Sequence, residues 1–103
     1  MKEKQILVIV KEPGKDPVVE PLFDNTLEAF QEAVGGYIET FSLAEGVCII
    51  CNEEGKLMGL PYNVSIFRED FVGTILVVGT KGEEFASLKA SQVPALLSIF
   101  RGC

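Results

Sequence analysis

Few residues of this chain have types and spacing suited to chemistry, and Cys48 and Cys51 are the first to consider. A C-x-x-C pair can be a redox dithiol or half of a zinc site. The redox use needs local positive potential, often a helix start. A structural zinc site needs four Cys or His ligands. The chain has no histidine, and its third cysteine is Cys103. Val47-Cys48-Ile49-Ile50-Cys51 reads as a buried strand, in which positions i and i+3 face opposite sides of a sheet. The two cysteines are therefore expected to be core residues, and no metal or cofactor is expected. Without histidine there is no imidazole triad and no zinc-hydrolase signature. Acid pairs occur at Glu53-Glu54, Glu69-Asp70 and Glu83-Glu84. Acid–base catalysis needs two carboxyls whose environments separate their pKa values, whereas adjacent acids in polar turns share one solvated environment. No phosphate-binding glycine motif is present. Gly35-Gly36 follows a helical stretch, so it reads as a C-cap. No catalytic residue is assigned, and the chain is read as a non-enzyme.

The charge pattern narrows the partners. The formal net charge is −6. Acids recur at Asp16, Glu20, Asp24, Glu28, Glu32, Glu39, Glu45, Glu53 and Glu54, with no Lys or Arg between Lys15 and Lys56. Such a stretch repels phosphate, so nucleic-acid binding is not expected. It is either a solvated exterior or a face that docks a basic protein surface. The longest apolar run, Ile6 to Val10, is too short to cross a bilayer, which takes about twenty residues. Lys11 and Glu12 also close it too early for a signal-peptide core. A cytoplasmic protein with no membrane partner is the expectation.

The elements that would position these residues are legible in outline. Gln5 to Lys11 is a continuous apolar, β-branched strand, of the kind covered on both faces. Val18 to Phe23 is extended, and Pro17 and Pro21 suit it to an edge. Asn25 reads as an N-cap with Glu28 three residues on. Leu27, Phe30 and Val34 form one helical stripe. Tyr37–Leu43 and Val47–Asn52 make a hairpin. Asn52-Glu53-Glu54-Gly55 fits a type I turn closed by a left-handed glycine, after which Lys56 to Met58 can pair back. Gly59 to Asn63 breaks regular structure. Val72 to Thr80 is a long strand, Phe85 to Leu88 a short one, and the last element is a helix capped by Ser91, with Pro94 in its first turn and Gly102 as its stop. The expected fold is one α+β domain, residues 1–103, with a mostly antiparallel sheet of about five or six strands and two helices. If both helices lie on one face, the other is bare and a homodimer would cover it. The alternative cover is the loop from Gly59 to Asp70.

Several motifs together resemble one family. They are Val34-Gly35-Gly36-Tyr37-Ile38-Glu39, then Cys51-Asn52-Glu53-Glu54-Gly55-Lys56-Leu57, then Gly59-Leu60-Pro61-x-Asn63, then Val72-Gly73-Thr74-x-Leu76-Val77-Val78-Gly79. In this order they resemble the DUF3846 family, over about Ile6 to Gln92. In that family a basic residue often follows the asparagine, whereas here Val64 does and the nearest arginine is Arg68. The resemblance implies no substrate. It implies a setting, a small accessory protein of a bacteriophage, plasmid or other mobile element.

The functional expectation is a non-catalytic accessory domain that binds a protein partner. The candidate surface is the loop pair Asn52-Glu53-Glu54-Gly55 and Leu60-Pro61-Tyr62-Asn63, because loops on rigid hairpins commonly carry function. A second reading is a small-ligand-binding or sequestering protein in which Tyr37, Tyr62 and Asn63 supply aromatic and amide contacts. A third, the least favoured, is a small hydrolytic enzyme using acidic residues alone.

Overall fold

The computed structural model describes residues 3–101. Eight strands and two helices follow the order β1 (Gln5–Lys11), β2 (Val18–Asp24), α1 (Leu27–Val34), β3 (Ile38–Ala44), β4 (Val47–Asn52), β5 (Tyr62–Ile66), β6 (Glu69–Val72), β7 (Ile75–Lys81), β8 (Glu84–Ala86) and α2 (Val93–Phe100). The main sheet is antiparallel with the order β2-β1-β7-β4-β3, and β8 pairs with the far end of β7. β5 and β6 form a separate two-stranded hairpin. This is the expected α+β fold, with six strands in the main sheet.

The central strands carry unbroken apolar runs, Ile6–Val10, Val47–Cys51 and Ile75–Val78, because both faces of the sheet are covered. On one face Ile6, Val8, Cys48, Ile50, Leu76 and Val78 pack with Phe30 and Val34 of α1. On the other, Ile9, Val47, Ile49, Ile75 and Val77 pack with Leu96 and Phe100 of α2 and with Val64, Ile66 and Phe71 of the β5–β6 hairpin. The period of two separates these sets cleanly. The two helices thus lie on opposite faces, and the segment expected as an irregular loop is a hairpin that completes the second cover. The bare face argued from the sequence does not exist, so the physical reason given for a homodimer falls away.

Local details differ from the sequence reading in instructive ways. Thr26, not Asn25, caps α1, its Oγ1 accepting from the Ala29 N–H at 3.1 Å. Asn25 is buried and its Nδ2 donates to the carbonyls of Glu3 and Phe85. Leu27 lies off the buried stripe and is exposed, whereas Phe30 packs between Phe23 and Phe85, with ring centroids 5.5 and 5.1 Å away. Gly35 ends α1 in the left-handed region, φ 79°, as expected. Residues 53–59 form successive turns and no strand. β7 starts at Ile75, because Val72 closes β6 and Gly73 turns the chain at φ 71°. A short 3₁₀ turn, Ala90–Gln92, precedes α2, and Gln92 Oε1 accepts from the Lys89 N–H, so Ser91 is not the cap. Pro94 does lie in the first turn of α2. Gly102 and Cys103 lie outside the described residues. No helix among the described residues is long and apolar enough to cross a membrane.

Candidate interaction cleft

Two asparagines of the expected surface turn inward and build the scaffold beneath it. Asn52, at the end of β4, is buried. Its Nδ2 donates to the Val34 carbonyl at 3.1 Å, and its Oδ1 accepts from the Glu54 N–H at 2.8 Å. The Gly55 N–H closes the turn on the Asn52 carbonyl at 3.2 Å. The expected turn therefore forms, but Gly55 is not left-handed. Glycine is required there because a Cβ would stand 2.8 Å from Val72 Cγ2. Gly36 is likewise closed, since a Cβ there would stand 2.9 Å from Asn52 Nδ2.

Asn63 has the corresponding role in the hairpin. β5 carries a bulge between Tyr62 and Val64, and the extra residue of a bulge re-aims its side chain. Asn63 and Val64 are consequently both buried although adjacent. Asn63 Nδ2 donates to the carbonyls of Lys11 and Gly73 at 2.8 and 2.7 Å. Its Oδ1 accepts from Lys11 Nζ at 3.0 Å, and Lys11 Nζ also donates to the Glu12 carbonyl at 2.9 Å. Lys11 is fully buried. The Gly73 N–H donates to the Pro61 carbonyl at 2.7 Å. These bonds tie the hairpin to the end of β1.

Between this scaffold and the open edge of the sheet lies a cleft of about 200 Å³. Glu39 and Phe41 of β3, Cys51 of β4, Glu53, Lys56 and Leu57 of the following turns, and Glu69 to Val72 of β6 line it. Phe41 and Phe71 meet edge to face at 5.3 Å in its floor. Four carboxylates (Glu39, Glu53, Glu69, Asp70) face one ammonium, that of Lys56, a local balance of −3. Lys56 Nζ lies 3.5 Å from Glu69 Oε2 in an exposed pair. Leu57 stands on the rim, 87% exposed.

The Cys51 thiol senses this field. Its pKa is pushed up to about 11, first by burial and then by Glu39 and Glu69, with Lys56 pulling the other way. Burial alone pushes Cys48 up to about 11. The two cysteines point to opposite faces, as the strand reading required. A thiol in this range is protonated at neutral pH and is a poor nucleophile or metal ligand. Among the described residues no group of three or more His, Cys, Asp or Glu side chains is placed to hold a metal ion. The arrangement suits one kind of contact: an aliphatic stem laid on the aromatic floor with its cationic head among the carboxylates.

The expected site residues divide accordingly. Asn52 and Glu53 line the cleft, and Glu54 is exposed in the same turn. Gly55 and Leu60 pack beneath it against Val72 and Gly73. Pro61 and Tyr62 are exposed on the hairpin. Tyr62 Oη lies 2.6 Å from Ser65 Oγ, which donates to Asp70 Oδ1 at 2.6 Å. Tyr37 is exposed, and its carbonyl accepts from the Glu53 N–H. Asn63 cannot join the two tyrosines in a pocket, because its amide atoms are engaged inside the protein. Sequence reasoning missed Glu39, Lys56, Leu57, Glu69, Asp70 and Phe71 as neighbours. The one available signal was the charged and aromatic alternation Glu39-x-Phe41 and Glu69-x-Phe71 on two strands.

A small α+β domain with an acidic, aromatic-floored cleft at one sheet edge is thus the class that fold and site define. The chain belongs to the DUF3846 family, a domain of unknown function, whose model matches residues 3–101. Neither the curated proteins nor the solved structures give a match. The glycines and asparagines of the resemblance motifs are chiefly the scaffold residues described above.

Proposed function

We propose that this chain is a non-catalytic accessory protein that acts by protein–protein interaction, with the cleft between β3, β4 and β6 as its working surface. One observation carries the reading: an apolar floor of Phe41 and Phe71 ringed by four carboxylates against a single lysine. A basic protein segment meets both requirements, and nucleic acid meets neither. The cytoplasm of a cell that carries a mobile element is the setting we propose, following the family resemblance. At about 200 Å³ the cleft is smaller than the roughly 300–1,000 Å³ usual for small-molecule sites, so a protein side chain suits this cleft better than a whole small molecule. The test is a quantitative affinity capture from a bacterial host lysate, comparing the wild-type chain with the Glu39→Lys/Glu69→Lys variant. At least one protein is expected to be captured by the wild type and lost by the folded variant. Identical captures by both would overturn the reading.

A further inference from the structure

The main sheet has two edges, and they differ. β2 forms one, and Pro21 in its middle removes a backbone donor while Glu20 adds charge, both devices that blunt an edge against further strands. β3 forms the other, Ile-Glu-Thr-Phe-Ser-Leu-Ala; it carries one charge, Glu39, and a register shift between Ser42 and Ala44 at its end, but no proline, so every backbone donor along Ile38–Phe41 is kept. It pairs with β4 alone, and among the described residues no backbone hydrogen bond runs from its outer side. This proline-free edge is also the one that borders the cleft, through Glu39, Thr40 and Phe41.

We infer that β3 is the receiving edge for an extended, basic segment of a partner protein, which adds as a further strand and sets a Lys or Arg side chain into the cleft. This inference rests on the reading of the cleft as an interaction surface, and it specifies the mode. An added strand would run about 4.8 Å from β3, and every second side chain would lie on the cleft side. A cationic residue there stands beside Glu39 and opposite Glu69, and an apolar one two positions on covers Phe41. Main-chain bonds supply the affinity and the alternate side chains the specificity, as in other cases of strand addition. Charge decides against a second copy of this chain as the occupant. Each copy carries a net charge of −6, and a second β3 strand, whose one charged residue is Glu39, has no Lys or Arg to set among the cleft carboxylates.

The probe is a blocked seven-residue peptide alternating arginine and valine. Its controls are the glutamate-for-arginine peptide and two versions N-methylated on alternate residues, one for each hydrogen-bonding register. Binding is followed by calorimetry and by amide exchange of residues 38–44. The arginine peptide is expected to bind and to slow exchange in β3. Glu39→Lys is expected to weaken binding about tenfold or more, N-methylation in one register only to weaken it about as much, and the glutamate peptide not to bind. Equal binding by both N-methylated peptides would overturn strand addition while leaving the cleft reading intact. No binding of the arginine peptide, with capture of a partner still dependent on Glu39 and Glu69, would do the same. A concentration-dependent doubling of mass with slowed β3 exchange in the peptide-free protein would assign the edge to a second copy and reject the inference.

Discussion

Lys11 is enclosed with carbonyl oxygens for company, those of Glu12 and Asn63, and with no ion-pair partner among the described residues. Removing the Asn63 side chain strips an acceptor from this amine and donors from two carbonyls. Asn63→Ala is therefore expected to cost about 3 kcal/mol in urea unfolding, whereas Tyr62→Ala, on the exposed neighbour, is expected to cost below about 0.5 kcal/mol. Lys11→Met combined with Asn63→Ala should cost at least about 1 kcal/mol less than the sum of the single changes. Simple additivity would mean that the pair does not act as a unit. The cysteines give a pH prediction. Their folded-state pKa values, about 11, exceed the ordinary thiol value of 9.0. Above pH 9 the unfolded chain releases these protons first, so stability is complete below pH 9 and falls as pH rises toward 11. For Cys48 the fall is about 2 kcal/mol, and Cys48→Val should remove its share of the slope. Stability that rises over that interval would contradict the buried placement. The opposite facing of Cys48 and Cys51 was legible in the sequence because a strand has a fixed period. The inward turn of Asn63 was not, because a bulge breaks that period and leaves no composition signal.

At the level of elements, the β5–β6 hairpin is the main surprise. Its two-residue connection is Phe67-Arg68, with φ of 50° and 66°, both in the region that favours Asn-Gly. No such dipeptide advertises a turn here, which is why the segment reads as a loop. Phe67 is 74% exposed, so packing offers little compensation. Arg68→Gly is expected to raise stability by about 1 kcal/mol by relieving the left-handed backbone. A loss of stability, measured by thermal or urea unfolding, would show that the Arg68 side chain makes a stabilising contact. The reverse change at the other end of β6 is expected to be costly. Gly73→Ala forces φ 71° on a residue whose Cβ would stand 2.7 Å from Leu60 Cδ1, and about 2 kcal/mol is the expected loss. Strands β1, β4 and β7 were legible because runs such as Ile6–Val10 and Ile75–Val78 have no other soluble use than burial on both faces. Helix α1 was legible from Phe30 and Val34, but its cap was not. Asn25 and Thr26 are both good capping residues, and the tertiary partners Glu3 and Phe85 decide between them.

Across the whole molecule, periodicity tells which side of an element is apolar but not which side of a sheet that element crosses to. The sequence therefore left open whether α1 and α2 share a face, and the expected homodimer hung on that choice. Their opposite placement, with the hairpin beside α2, closes both faces and leaves edges as the available surfaces. The acidic stretch is divided by the same folding. Glu20, Asp24, Glu28 and Glu32 go to β2 and α1, whereas Glu39 and Glu53 reach the cleft and meet Glu69 and Asp70 from outside the stretch. Charge in the sequence thus overstated one acidic surface and hid the junction of two. That division makes the central claim testable by a single map. The ¹⁵N-labelled protein is titrated with the alternating arginine–valine peptide, and amide shifts are followed. Perturbations are expected at residues 39–41, 51–57 and 69–72, and to shrink at raised salt. Perturbations concentrated at residues 18–32, the other acidic surface, would contradict the assignment of the cleft as the docking site.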